Sequence, residues 1–77
     1  MTSYLNKVKK IIEDKTGLDP SEISLESYFE EDLNISEMEL LEILEEIEEL
    51  FNLDLTSEKE NIETVGDLIE LLEEHLD

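Results

Sequence analysis

Apolar residues recur along the chain at helical spacing in three places. Tyr4, Leu5, Val8, Ile11 and Ile12 form one stripe, which predicts a first helix from Thr2 or Ser3 to about Lys15. Gly17 suits the position just past its end, and Lys15 sits in the last turn, where the helix dipole favours a cation. Leu40, Ile43, Leu44, Ile47, Leu50 and Phe51 follow the i, i+3, i+4, i+7 rule and predict a second helix from Glu37 to Phe51 or Asn52. Met38 and Leu41 fall on the flank of that stripe. A third helix opens at Thr64, with Asp67 three residues on in capping-box spacing, and turns Val65, Leu68, Ile69, Leu72 and Leu76 inward.

The connections are long. Leu18 to Asn34 contains a turn signal, Asp19-Pro20-Ser21-Glu22, and the apolar residues Ile23, Leu25, Tyr28, Phe29 and Leu33. These residues are expected to anchor the loop and keep it ordered. Asn52 to Asn61 has Leu53 and Leu55 in alternation and a short helical turn near Ser57. The prediction is a single all-α domain over residues 1–77, a small bundle of three main helices plus a short one with a long ordered first loop. Leu40, Leu44, Ile47 and Phe51 also have coiled-coil spacing, but two heptads are too few to specify a coiled coil, and a monomer is expected.

Charge narrows the possible partners. The formal net charge is -19, from 24 acidic and 5 basic residues. Such a surface repels phosphate backbones and anionic membranes, so nucleic acid and membrane insertion are excluded as modes of action. Basic protein surfaces are the complementary partners. No apolar run reaches the ~20 residues of a membrane span. The start, MTSYLNKVKK, lacks a signal peptide's apolar core. The expected location is the cytoplasm, or an organelle matrix after removal of a transit peptide.

Catalytic chemistry finds little support. There is no cysteine, hence no thiolate nucleophile or zinc–thiolate site. The only histidine, His75, lies near the C-terminus, where it suits a helix-terminal cation in a solvated turn. There is no Gly-rich phosphate loop and no EF-hand loop, so an enzyme and a dedicated metal site are not expected.

Five pieces of the chain, in order and in register, are similar to the acyl carrier protein family. These are Val8-Lys9-Lys10-Ile11-Ile12, the loop from Gly17 through Ile23 to Phe29, Glu31-Asp32-Leu33, then Glu48, Glu49 and Phe51, and last Ile62, Thr64 and Val65. The resemblance implies a four-helix carrier of acyl thioesters in fatty-acid or related synthesis, not itself a catalyst. It implies a serine bearing 4'-phosphopantetheine, installed by a phosphopantetheinyl transferase. It also implies docking of acyl-processing enzymes on the acidic second helix. The matching docking positions are Met38 and Leu41, with Glu37, Glu39, Glu42, Glu45, Glu48 and Glu49 as the acidic rim. An interior that could hold an acyl chain would be lined by Phe29, Leu33, Ile43, Ile47, Phe51, Leu55, Ile62, Leu68, Ile69 and Leu72.

One departure matters. The family's D-L-G-A-D-S-L aligns without gaps on D-L-N-I-S-E-M, so Glu37 occupies the place of the modified serine and Asn34 that of the glycine. Two roles are open to Ser36, one residue earlier. As N-cap of the second helix it would form an S-x-x-E capping box with Glu39, with Glu37 in the dipole-favoured first turn. As attachment site it would need a one-residue shift in the preceding turn. Carried along the helix, that shift would rotate Leu40, Ile43 and Ile47 by about 100° out of the core. The protein is therefore expected to be a carrier homologue, or an armless carrier-like interaction protein that never bears the group.

Overall fold

The computed structural model describes residues 3–76. Helix α1 spans Ser3–Thr16, α2 Glu37–Phe51 and α3 Val65–Leu76. Two short 3-10 helices lie between them, η1 over Pro20–Glu22 and η2 over Thr56–Asn61. The start of α1 agrees with the predicted Ser3, and the alternative start at Thr2 lies outside the described residues.

Local chemistry accounts for the helix ends. Gly17 closes α1 with φ 81, its N–H donating to the Glu13 carbonyl at 2.8 Å. Asp19 caps η1 by accepting the Ser21 N–H at 3.0 Å. Asn52 ends α2 in the left-handed region, φ 58, with its N–H on the Glu48 carbonyl. At the head of α3 the predicted box is present. Thr64 Oγ1 accepts the Asp67 N–H at 3.1 Å, and Asp67 Oδ2 accepts the Thr64 N–H at 3.1 Å and the Glu63 N–H at 3.0 Å.

The core is built by Val8, Ile11 and Ile12 of α1, Leu40, Ile43, Leu44 and Ile47 of α2, and Val65, Leu68, Ile69 and Leu72 of α3. Leu55 and Ile62, on either side of η2, complete it with the loop residues Ile23, Phe29, Leu33 and Ile35. The interior residues named from the resemblance are all among these except Phe51, which is half-buried with its ring 5.7 Å edge-to-face from Tyr4.

Four residues expected to face inward do not. Leu50 is 53% exposed. It stands in the last turn of α2, at the edge of the buried stripe. Leu76, the last residue of α3, is exposed as well. Leu25 and Tyr28, 45% and 43% exposed, anchor the first loop through their backbones instead. The Leu25 carbonyl accepts the Gly66 N–H at 2.9 Å, and the Tyr28 carbonyl accepts the N–H groups of Asp32 and Leu33. An antiparallel bridge pairs Tyr28 with Thr64, with Phe29 N–H on the Glu63 carbonyl and Val65 N–H on the Ser27 carbonyl. The long loop is thus ordered, as predicted, by backbone stitching to α3 as well as by Ile23, Phe29 and Leu33.

Candidate functional site

The turn into α2 sets the geometry of the site. Asn34 adopts φ 56, a left-handed conformation that asparagine tolerates and glycine would adopt freely. The next residue, Ile35, is 1% exposed and donates its N–H to the Phe29 carbonyl at 2.8 Å. Sequence reasoning passed over Ile35. The signal was present, because Ile35 and Leu40 stand at the two positions of a hydrophobic staple around the N-cap Ser36.

Ser36 is the N-cap. Its Oγ accepts the Glu39 N–H at 3.2 Å, and Glu39 Oε1 accepts the Ser36 N–H at 3.1 Å. With this start, Leu40, Ile43, Leu44 and Ile47 are buried, so helix register and core agree without a shift in the turn.

The seven glutamates of α2 divide by face. Met38, Glu42, Glu45 and Glu49 share the side opposite the buried stripe, with Leu41 on its flank. Met38 is 76% exposed and Leu41 half-buried. Glu42, Glu45 and Glu49 are exposed, and no ion pair involves them among the described residues. Glu39 is exposed as well, although it closes the capping box. On one flank Glu46 meets Lys15 of α1 at 3.4 Å.

On the other flank Glu37 and Glu48 face η2. Glu37 pairs with Lys59, whose hydrogen bond first and charge second hold the Glu37 carboxyl below the ordinary glutamate range. Glu48 Oε2 accepts the N–H groups of Leu55 at 2.6 Å and Thr56 at 2.9 Å, and these bonds lower its pKa too. Glu48 was expected on the acidic rim. The structure folds it inward as a cap for the chain entering η2.

Beside Glu37 lies an open cleft of about 400 Å³. It is lined by Tyr28 to Glu31 of the first loop, by Lys59, Glu60, Ile62 and Glu63, and by Ile35, Glu37 and Leu40. His75, expected in a solvated turn, lies in the last turn of α3 with Nε2 3.1 Å from Glu58 Oε2. Among the described residues no cluster of three or more metal-ligating side chains occurs, and no helix is long and apolar enough to cross a membrane.

A family model described as phosphopantetheine attachment site, PP-binding, matches residues 6–72. The chain belongs to this family. Membership carries a carrier-protein role in general, and carrier domains are not catalytic in themselves. PP-binding domains take 4'-phosphopantetheine, and they meet acyl-processing enzymes and the transferases that load them.

The residues at the head of α2 fit that group poorly. Attachment needs a hydroxyl oxygen that can become a phosphodiester. Glu37 offers a carboxylate, already paired with Lys59. Ser36 has the hydroxyl, but it stands outside the helix at φ -71, ψ 166 with its oxygen engaged by the Glu39 amide.

Proposed function

We propose that the protein is an armless member of the PP-binding family, which docks on basic surfaces of acyl-processing enzymes and their transferases without being loaded. The observation that carries this reading is the pairing of Glu37 with Lys59 at the place of the family's modified serine. The capping box of Ser36 supports it, since freeing that hydroxyl costs roughly 1 kcal/mol. Docking rests on the outward face of α2, where Met38 and Leu41 form a small apolar patch beside Glu39, Glu42, Glu45 and Glu49. Carboxylates around an apolar contact suit fast, electrostatically steered, reversible association with arginine- and lysine-bearing partners. The work is that of fatty-acid or related acyl-thioester metabolism, carried out in the cytoplasm by a monomer that occupies, regulates or scaffolds enzymes reading the acidic helix.

The reading is tested by competition. A phosphopantetheinyl transferase loads an ordinary carrier protein while this chain is titrated in. Inhibition is expected, without loading of the competitor, and it should weaken when Glu42, Glu45 and Glu49 are changed to glutamine together. An uninhibited reaction, or inhibition indifferent to those changes, contradicts docking through α2.

A further inference from the structure

The segment η2 is fastened differently from the packed helices α2 and α3. None of its residues is buried. Its two neighbours are, for Leu55 before it and Ile62 after it are core residues. Between these anchors the chain is held by charge and hydrogen bonds. Glu48 receives it at Leu55 and Thr56, Glu58 meets His75 of α3, and Lys59 meets Glu37 of α2. Glu58 also interrupts the helical geometry, with φ -110 and ψ 16. Lys59 and Glu60 line the cleft together with Tyr28 to Glu31 of the first loop.

We infer that Glu37, acting through Lys59, latches η2 shut along this cleft, and that η2 lifts as a strap between Leu55 and Ile62 when the pair is broken. The argument is one of unequal holding forces. Apolar burial holds the helices and resists local opening. A segment with no fully buried residue leans chiefly on its polar fastenings, and an ion pair with one solvent-exposed partner is weak singly. Besides the Glu58–His75 contact, lifting breaks the backbone bonds from the Glu58 N–H to the Leu55 carbonyl at 2.9 Å and from the Ile62 N–H to the Lys59 carbonyl at 3.1 Å. It widens the cleft over Phe29, Ile35 and Leu40 while the anchors stay in the core. The carboxylate at position 37 then has a role of its own, because a serine there could not hold Lys59 by charge. This latch is independent of docking and of whether any prosthetic group is attached.

The test is amide hydrogen exchange resolved at Glu58 and Ile62 and corrected for intrinsic rates. The variants are Glu37→Gln, Lys59→Gln and the two combined. Lys10→Gln serves as control, since it breaks a solvent-exposed pair with Asp14 within α1, away from η2. Each latch variant should speed exchange at Glu58 and Ile62 by about two- to five-fold, as loss of one weak ion pair implies. The double variant should be no faster than either single, because both remove the same interaction. Exchange at Ile43 and Leu44 should stay unchanged, and Lys10→Gln should leave all four amides alone. Unaltered exchange at Glu58 and Ile62, additive effects in the double variant, or equal acceleration at Ile43 and Leu44 would each overturn the latch.

Discussion

The Glu48 carboxylate reaches seven residues along the chain to accept the Leu55 N–H at 2.6 Å, and the Thr56 N–H at 2.9 Å with the same oxygen. The start of η2 therefore depends on an ionised side chain of α2. Glu48→Ala should cost on the order of 1–2 kcal/mol, the usual cost of leaving part-buried amides without their acceptor. These bonds hold the Glu48 pKa below its ordinary 4.5. A depressed carboxyl stabilises the fold fully above its unfolded pKa and loses that contribution as pH falls through the folded one. Denaturant titrations of both proteins should thus differ by a constant amount above the unfolded carboxyl pKa and draw together only as pH falls through the lower, folded one. A gap that persists at low pH would contradict the charge-assisted cap.

Ser36→Ala should lower stability by about 0.5–2 kcal/mol, because the Glu39 N–H loses its acceptor. Ser36→Asp should restore most of it, since aspartate caps equally well. Urea denaturation of the two variants checks this. Equal loss in both would mean that the hydroxyl serves something other than the cap.

Gly66 permits the seam between the first loop and α3. A Cβ there would stand 2.9 Å from the Leu25 carbonyl oxygen, which also accepts the Gly66 N–H. Alanine normally favours a helix over glycine by about 1 kcal/mol. Here the clash is with backbone, which cannot rotate away, and Gly66→Ala should instead destabilise by about 1–3 kcal/mol. A rise in melting temperature would show that the seam is looser than described.

Self-repulsion acts on the whole molecule. With a net charge of -19 and few cations to offset it, the folded state gathers like charges closer than the unfolded chain does. Screening shortens from about 30 Å at 0.01 M salt to about 3 Å at 1 M. The melting temperature should rise over that range, and with millimolar divalent cations at fixed ionic strength, as followed by circular dichroism. A temperature indifferent to both would mean that repulsion does not limit stability.

Much of the fold could be read from periodicity and capping. The predicted boxes at Ser36–Glu39 and Thr64–Asp67 are both present, and the stripe of α2 is buried apart from Leu50 and the half-buried Phe51. Hydrophobicity alone misled at Leu25 and Tyr28, whose backbones rather than side chains do the anchoring. Backbone bridges leave no mark in side-chain pattern. The site was legible only in part. The spacing of Met38, Glu42, Glu45 and Glu49 gives a shared outward face. The same spacing puts Glu37 and Glu48 on a flank, but their partners there, Lys59 and the amides of Leu55 and Thr56, lie across a loop and leave no local mark.

The most direct measurement is an intact mass. The unaltered protein and its Glu37→Ser variant are incubated with a broad-specificity phosphopantetheinyl transferase, CoA and Mg²⁺, and weighed. An unchanged wild-type mass is expected, with a gain of one phosphopantetheine on the variant at residue 37. A gain on the unaltered protein, mapped to Ser36, would contradict the account and make this chain a loaded carrier with a displaced attachment site.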